Sequence, residues 1–265
     1  MLSKKVNNMT QSERRVFLIQ YLLNEVENGN EIKIPSNTFD QKSLLRGLMN
    51  IRLARKVDDE FLKIQNEYLQ EETREKGIVD VDDLVPIQKG IYVWQGDITR
   101  LKCDAIVNAA NSGMTGCYVP NHRCIDNCIH TFAGVQLRLN CADLMAKQGH
   151  SERTGNAKIT SAFNLPCKYV IHTVGPIVSG RLTRKDCDLL KSCYNSCLEK
   201  AVEMNLKSIA FCCISTGEFH FPNEKASEIA VETVKNFMKK DTSLEKVIFN
   251  VFKDKDKEIY ENLLG

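Results

Sequence analysis

From residue 91 onward, short apolar segments alternate with amphipathic stretches, and no other feature limits the possible folds of this chain so tightly. The apolar segments are IYVWQ (91–95), AIVNAA (105–110), KITSAF (158–163), KYVIHTV (168–174), SIAFCCIS (208–215) and KVIFNVF (246–252). Helical spacing between them predicts helices over 126–147, over 185–204 and from Pro222 onward. Runs this short and this apolar suit strands buried on both faces, and helix-length connections between strands build an α/β sandwich.

The first third of the chain is different. Up to about residue 77 the pattern is helical and carries no strand signal. Thr10 followed by Glu13 forms a capping-box arrangement, after which Val16, Ile19, Leu23 and Val26 recur at helical spacing. Two more helices are predicted, one carrying Leu44, Leu45, Leu48, Ile51 and Leu53, the other Phe61, Ile64, Tyr68 and Leu69. The run VDVDDLVPIQKG (79–90) reads as a connector, and the chain has no internal repeat or low-complexity tract.

A length of 265 residues allows one large domain, or one of ordinary size with an extension. The net charge is +2, from 36 basic and 34 acidic residues, so no global field favours nucleic acid or an anionic membrane. An anionic ligand must then be held by local geometry. No apolar run approaches the ~20 residues of a membrane span, and residues 1–20 lack the pattern of a secretory leader, so a cytoplasmic location is expected. Of the eleven cysteines, Cys103, Cys128, Cys141, Cys167, Cys187, Cys193, Cys197, Cys212 and Cys213 fall on predicted strands and helices and read mostly as reduced core residues.

Three segments carry chemistry. In NAANSGMTGCYVPNHRCIDNCIH (108–130), Cys117, His122 and Cys124 lie within eight residues, on a loop marked by Gly113, Gly116 and Pro120. Two thiolates and an imidazole suit Zn2+, and three ligands leave a position on the metal for water or substrate. Cys128 as a fourth ligand would close the site and make the metal structural. Four residues beyond Cys124 and already on the predicted helix, it reads instead as a core residue. In QGDIT (95–99), Asp97 at a strand end is either a turn cap or an acceptor for an exocyclic amine or ribose hydroxyl. In CISTGEFHFP (213–222), Ser215, Thr216 and Gly217 form either an ordinary strand-to-helix connection or a nest of backbone N–H groups for a diphosphate.

Taken in order, QGDIT, DAIVNAAN (104–111), IDNCIHTFAGVQL (125–137), GNAKITSAFNLPCKYVIHTVGP (155–176) and IAFCCISTGEFHFP (209–222) resemble the macrodomains, which bind ADP-ribose. The resemblance covers residues 91–252. It implies a three-layer α/β/α macrodomain with a mixed central sheet over 86–265, and a helical N-terminal extension over 1–85. Extra residues between Asn111 and Asp126 bear Cys117, His122 and Cys124, which is similar to the zinc-containing branch of the family.

Carried onto this chain, the resemblance implies that Asp97, with Ile98 beside it, accepts from the adenine amino group and that Asn111 contacts the distal ribose. Cys117, His122 and Cys124 hold zinc. Cys124, Ile125 and Asp126 line the ribose and phosphate region, and Ser215, Thr216, Gly217, Glu218 and Phe219 wrap the diphosphate and distal ribose. Glu218 and His220 stand where many relatives have small or aliphatic residues and glycine, so a role for the extra carboxylate stays open. The implied activity is zinc-dependent hydrolysis that releases mono-ADP-ribose from an acidic protein side chain, with Asn111 and Asp126 as catalytic residues orienting ribose and water. A zinc-activated water is favoured over Asp126 as the base, because an aspartate beside a divalent cation is strongly ionised and a feeble base.

The implied partners are an ADP-ribosylated protein substrate, a lipoyl-type carrier being one candidate, and a sirtuin-type ADP-ribosyltransferase; the branch's association with such a carrier and transferase favours a protein substrate. Two alternatives use the same cleft: a reader that binds ADP-ribose without cleavage, and a deacetylase of O-acetyl-ADP-ribose. A nucleic-acid-binding module with structural zinc is disfavoured by the near-neutral charge and the lack of a basic, aromatic-studded strand face. The extension reads as a stabilising cap, against a partner-docking surface.

Overall fold

The computed structural model describes residues 9–240 and 243–265; the first eight residues of the expected extension lie outside the described part. Helix α1 (Gln11–Asn24) opens with the anticipated capping box, Thr10 and Glu13 each bonding the other's backbone. With α2 (Thr38–Ile51) and α3 (Asp59–Lys76) it forms a bundle around its own core of Leu18, Ile19, Leu22, Leu23, Leu45, Leu48, Phe61 and Ile64. Val16, Ile51 and Leu53, counted with the apolar pattern, are exposed: the buried stripe of α1 runs through Leu18 and Leu22 instead, while Ile51 ends α2 and Leu53 lies beyond it.

The expected connector is more than a link. Val79–Asp80 (β1) pairs in parallel with Leu101–Lys102 (β3), and Val81 enters the core of the second unit. That unit is built on β2 (Ile91–Gln95), β4 (Ala105–Ala110), β5 (Ala157–Ser161), β6 (Tyr169–Val174), β7 (Ser208–Phe211) and β8 (Lys246–Val251), ordered β2-β8-β7-β4-β6-β5. Only β5 runs antiparallel to its neighbour, so the sheet is mixed as expected.

Most of β4 and all of β7 are buried residue by residue, which requires helices on both faces. Helices α6 (Arg184–Glu203) and α7 (Asn223–Met238) cross between parallel strands stepping the same way along the sheet, so right-handed connections put them on one face. A helix not anticipated from the sequence, α8 (Asp254–Leu264), packs beside α7. Helices α4 (Ile125–Ala133) and α5 (Val135–Gln148) pack against β4 and β5.

The helix expected over 126–147 is therefore two helices, and Gly134 breaks it. Its φ of +94° is left-handed, and a Cβ there would stand 2.7 Å from the Gln65 and Gln136 side chains. Gln65 of α3 accepts from the Val135 amide at 3.0 Å, so the extension caps the N-terminus of α5 in place of a local residue. None of the described helices is long and apolar enough to cross a membrane.

Candidate functional site

Because β2, β4, β6, β7 and β8 are parallel, their C-terminal ends open on one edge, where ligand-binding loops of α/β sheets collect. Asp97 follows β2, Asn111 follows β4, Gly175 follows β6 and the 212–222 loop follows β7. Asp97 caps the short turn that follows β2. Its Oδ1 accepts from the Thr99 amide and hydroxyl at 3.0 and 2.6 Å, while Oδ2 lies 3.7 Å from Lys76 Nζ. The Ile98 side chain is in the core, which leaves its backbone as the part that can face a ligand.

In the loop after β7, Ser215 adopts φ +66°, a left-handed conformation rare for a residue with a side chain. Its buried Oγ has no hydrogen-bond partner and occupies the space where a Cβ on Gly175 would stand. Gly217 faces open space, and the loop is closed by the Phe221 amide donating to Ser215 O and by the Val178 amide donating to Phe219 O. Glu218 is largely exposed.

The 117–124 loop brings the soft side chains together: ligand atoms of Cys117, His122 and Cys124 all lie within 4.8 Å of one another, each residue half-buried. His122 Nδ1 is 3.5 Å from Cys117 Sγ, and its Nε2 is 3.5 Å from Glu218 of the 212–222 loop. Cys124 is also the N-cap of α4, its Sγ accepting from the Asn127 amide at 3.4 Å. Burial pushes the Cys124 thiol up to about 12, with the neighbouring Cys117 adding to the effect. Two sulfurs and an imidazole in reach of one point, with the outer imidazole nitrogen turned to a carboxylate, fit a soft divalent cation. Cys128 stands outside this group, its Sγ taking a 3.4 Å contact from Arg46.

In the first turn of α4, the buried Asp126 carboxylate accepts from Asn108 at Oδ1 (2.8 Å) and from Asn111 at Oδ2 (3.3 Å). Burial raises its pKa to about 6, against the Asn108 hydrogen bond and the more distant Arg138 charge. Behind it runs a polar chain that the sequence reading missed. Asn108 Nδ2 also contacts His172 Nδ1 at 3.1 Å, and His172 Nε2 contacts Thr160 Oγ1 at 2.9 Å. An amide nitrogen only donates, and the reverse orientation would set the amide oxygen against the Asp126 carboxylate. His172 Nδ1 is thus the acceptor, and Nε2 carries the proton.

That tautomer bears on a second soft group, buried His130, Cys141 and His172, whose ligand atoms also gather within 4.8 Å. In this tautomer His172 Nε2 donates to Thr160 Oγ1, so it already has a partner within the protein. The signal for this chain was a polar residue inside an apolar strand: Asn108 in AIVNAA and His172 in YVIHTV. Phe252 follows the end of β8, where the Gly96 amide donates to Val251 O, and it is 75% exposed.

The Macro domain model matches residues 107–230. A protein-ADP-ribose hydrolase of Treponema medium is 60% identical over 97% of this chain and 100% of its own length. The chain belongs to the macro domain family. A protein-ADP-ribose hydrolase of Staphylococcus aureus (strain MRSA252) is 50% identical, over 92% of this chain and 93% of that protein. The crystal structure of a Trypanosoma brucei macrodomain in complex with ADP-ribose superposes with TM-score 0.65 at 30% identity, covering 80% of this chain and 93% of that one. The matched residues 107–230 lie within the unit built on the six-stranded sheet. Its Asn111, Asp126 and 215–219 loop share one edge with the cysteine–histidine group.

Proposed function

We propose that this macrodomain is a zinc-dependent hydrolase that removes mono-ADP-ribose from acidic side chains of a modified protein. One observation carries the reading: three convergent soft ligands stand at the N-terminus of the same helix that buries Asp126, beside Asn111. The names of the relatives at 50 and 60% identity over nearly the whole chain support the substrate class. Hydrolysis adds water across the C1″–O bond, returning a side-chain carboxyl and free ADP-ribose.

Cys117, His122 and Cys124 would hold the metal, and Glu218 would fix the His122 ring through its outer nitrogen. When bound, zinc supplies Lewis acidity at the distal-ribose end of the cleft. Asn111 and Asp126 orient the ribose hydroxyls and the attacking water, with Asn108 holding the carboxylate from behind. Asp97 accepts from the adenine amino group, Ser215, Thr216, Gly217, Glu218 and Phe219 enclose the diphosphate and distal ribose, and Phe252 offers its ring to the adenine face. A sirtuin-type ADP-ribosyltransferase that installs the modification, and a lipoyl-type carrier protein that bears it, are the partners this reading favours.

The test is release of ADP-ribose from a carrier protein modified on acidic residues, measured before and after chelation and after zinc is restored. Release that chelation stops and zinc restores supports the proposal. Tight ADP-ribose binding with no release in any state leaves a reader module in its place. For the adenine end, Phe252→Ala is expected to raise KM about tenfold with kcat nearly unchanged, as loss of one stacking contact of about 1–1.5 kcal/mol implies. An unchanged KM would remove Phe252 from the site.

A further inference from the structure

The 117–124 loop has little to hold itself in shape. It contains no helix or strand, exposes Tyr118, Val119, Pro120 and Asn121, and carries Asn121 in the left-handed region at φ +56°. Ordering such a segment costs roughly 1–2 kcal/mol per residue in backbone entropy, so its fixed shape must come from contacts outside it. Those contacts come largely from α2. Arg46 Nη2 donates to His122 O at 2.7 Å and to Asn127 Oδ1 at 2.9 Å. Asn50, fully buried, accepts from the Asn121 amide at 3.0 Å and donates to Thr131 Oγ1 at 3.0 Å. Between them Gly47 lets the helix approach, since a Cβ there would already touch Asn121 Nδ2 at 3.4 Å and Pro120 at 3.8 Å.

Arg138 of α5 completes the clamp. Its guanidinium donates to Met49 O, Asn50 O and Arg52 O, carbonyls at the C-terminal end of α2, and on its other side to Thr115 O and Cys117 O. Asn127, itself gripped by Arg46, donates to Val119 O at 3.0 Å. The backbone on both sides of His122, and the carbonyl of Cys117, are thus set by groups that belong to the helical extension or are fastened to it.

We infer that α2 is a working part of the metal centre: through Arg46 and Asn50 it holds the 117–124 loop in the arrangement that brings Cys117, His122 and Cys124 together. This rests on the zinc reading above. Arg46 and Asn50 are positioning residues, and the extension is a component of the site as well as a stabilising cap.

The test uses the full chain and Co2+ as the probe, whose absorption reports thiolate ligation, alongside the thermal midpoint and the affinity for free ADP-ribose. Arg46→Ala and Asn50→Ala are expected to weaken Co2+ binding by about tenfold or more, as loss of outer-shell support does elsewhere. ADP-ribose affinity should fall by less than Co2+ affinity, since Asp97 and the backbone of the 215–219 loop are held by elements other than α2 and only Glu218 meets His122. Arg14→Ala, which breaks an ion pair with Glu67 elsewhere in the extension, should leave Co2+ binding unchanged. Should either alanine variant fail to fold, Gly47→Leu displaces the loop while favouring the helix, and the same loss is expected. Wild-type Co2+ affinity in the folded variants overturns the inference alone. A wild-type chain that takes up no Co2+ overturns the zinc reading and this inference with it.

Discussion

Cys117→Ala and His122→Ala are each expected to lower ADP-ribose release about a thousandfold, equivalent to about 4 kcal/mol of transition-state stabilisation. Both residues are half-buried on a surface loop, so the folded chain should survive: the sheet core lies elsewhere and their loss opens no cavity in it. Cys124 is the less clean choice, because its sulfur also caps α4 and its removal exposes the Asn127 amide. Asp126→Ala should cost less than either, since Asn111 and the metal ligands remain. The measurement is single-turnover release of ADP-ribose with zinc content and circular dichroism on the same samples. A folded, metal-free Cys117→Ala chain with wild-type turnover would sink the proposed chemistry.

The second large effect is on stability in acid. His172 is completely buried and desolvation pushes its pKa down to about 4, while burial and the neighbouring His172 hold His130 well below the ordinary imidazole value. In the unfolded chain both titrate near pH 6.5. Between pH 6.5 and 4 the unfolded chain therefore binds protons that the native chain refuses. Stability from this source is fully present above about pH 6.5 and is lost as pH falls, by about 3 kcal/mol for His172 alone at pH 4. Asp126 acts in the opposite direction between about pH 6 and 4, because its raised pKa lets the native state take up a proton first. The two histidines together outweigh one carboxylate, so the net trend is destabilising. Glu152, drawn down to about 2 by Asn156, Lys158 and the Arg153 amide against the effect of burial, adds a further loss only below about pH 4.5. Urea unfolding at pH 7, 6 and 5 should show wild type losing stability faster than His172→Gln; parallel profiles would contradict the assignment of His172 as a neutral buried imidazole.

These two experiments probe different layers of what the sequence made legible. The strands were readable because burial on both faces leaves short apolar runs, and the six segments named from sequence coincide with the six strands of the main sheet apart from their ends. Helix α8 and the short β1–β3 pair went unread, the first because its apolar residues, Ile259, Tyr260, Leu263 and Leu264, are confined to the second half of a short helix whose first half is charged, the second because two residues carry no period. Gly134 was visible as a glycine. Its left-handed conformation was not, since the side chains that exclude a Cβ come from Gln65 on the extension and Gln136 on α5.

Within the site, local sequence placed Cys117, His122, Cys124 and Asp126 in one loop and one helix turn, and the ordered motifs marked Asp97, Asn111 and the 215–219 loop. By itself, then, the sequence determined the class of fold, the clustering of Cys117, His122 and Cys124 and the loops that gather at one edge of the sheet, because each depends on residues near one another along the chain. Tertiary structure alone decided the rest: that Asn108 and His172 stand behind Asp126, that Glu218 faces His122, and that Arg46 and Asn50 grip the 117–124 loop. Those contacts join residues separated by 18 to 96 positions. Their geometry follows from how helices and strands pack, and no local pattern of apolar and polar residues encodes it.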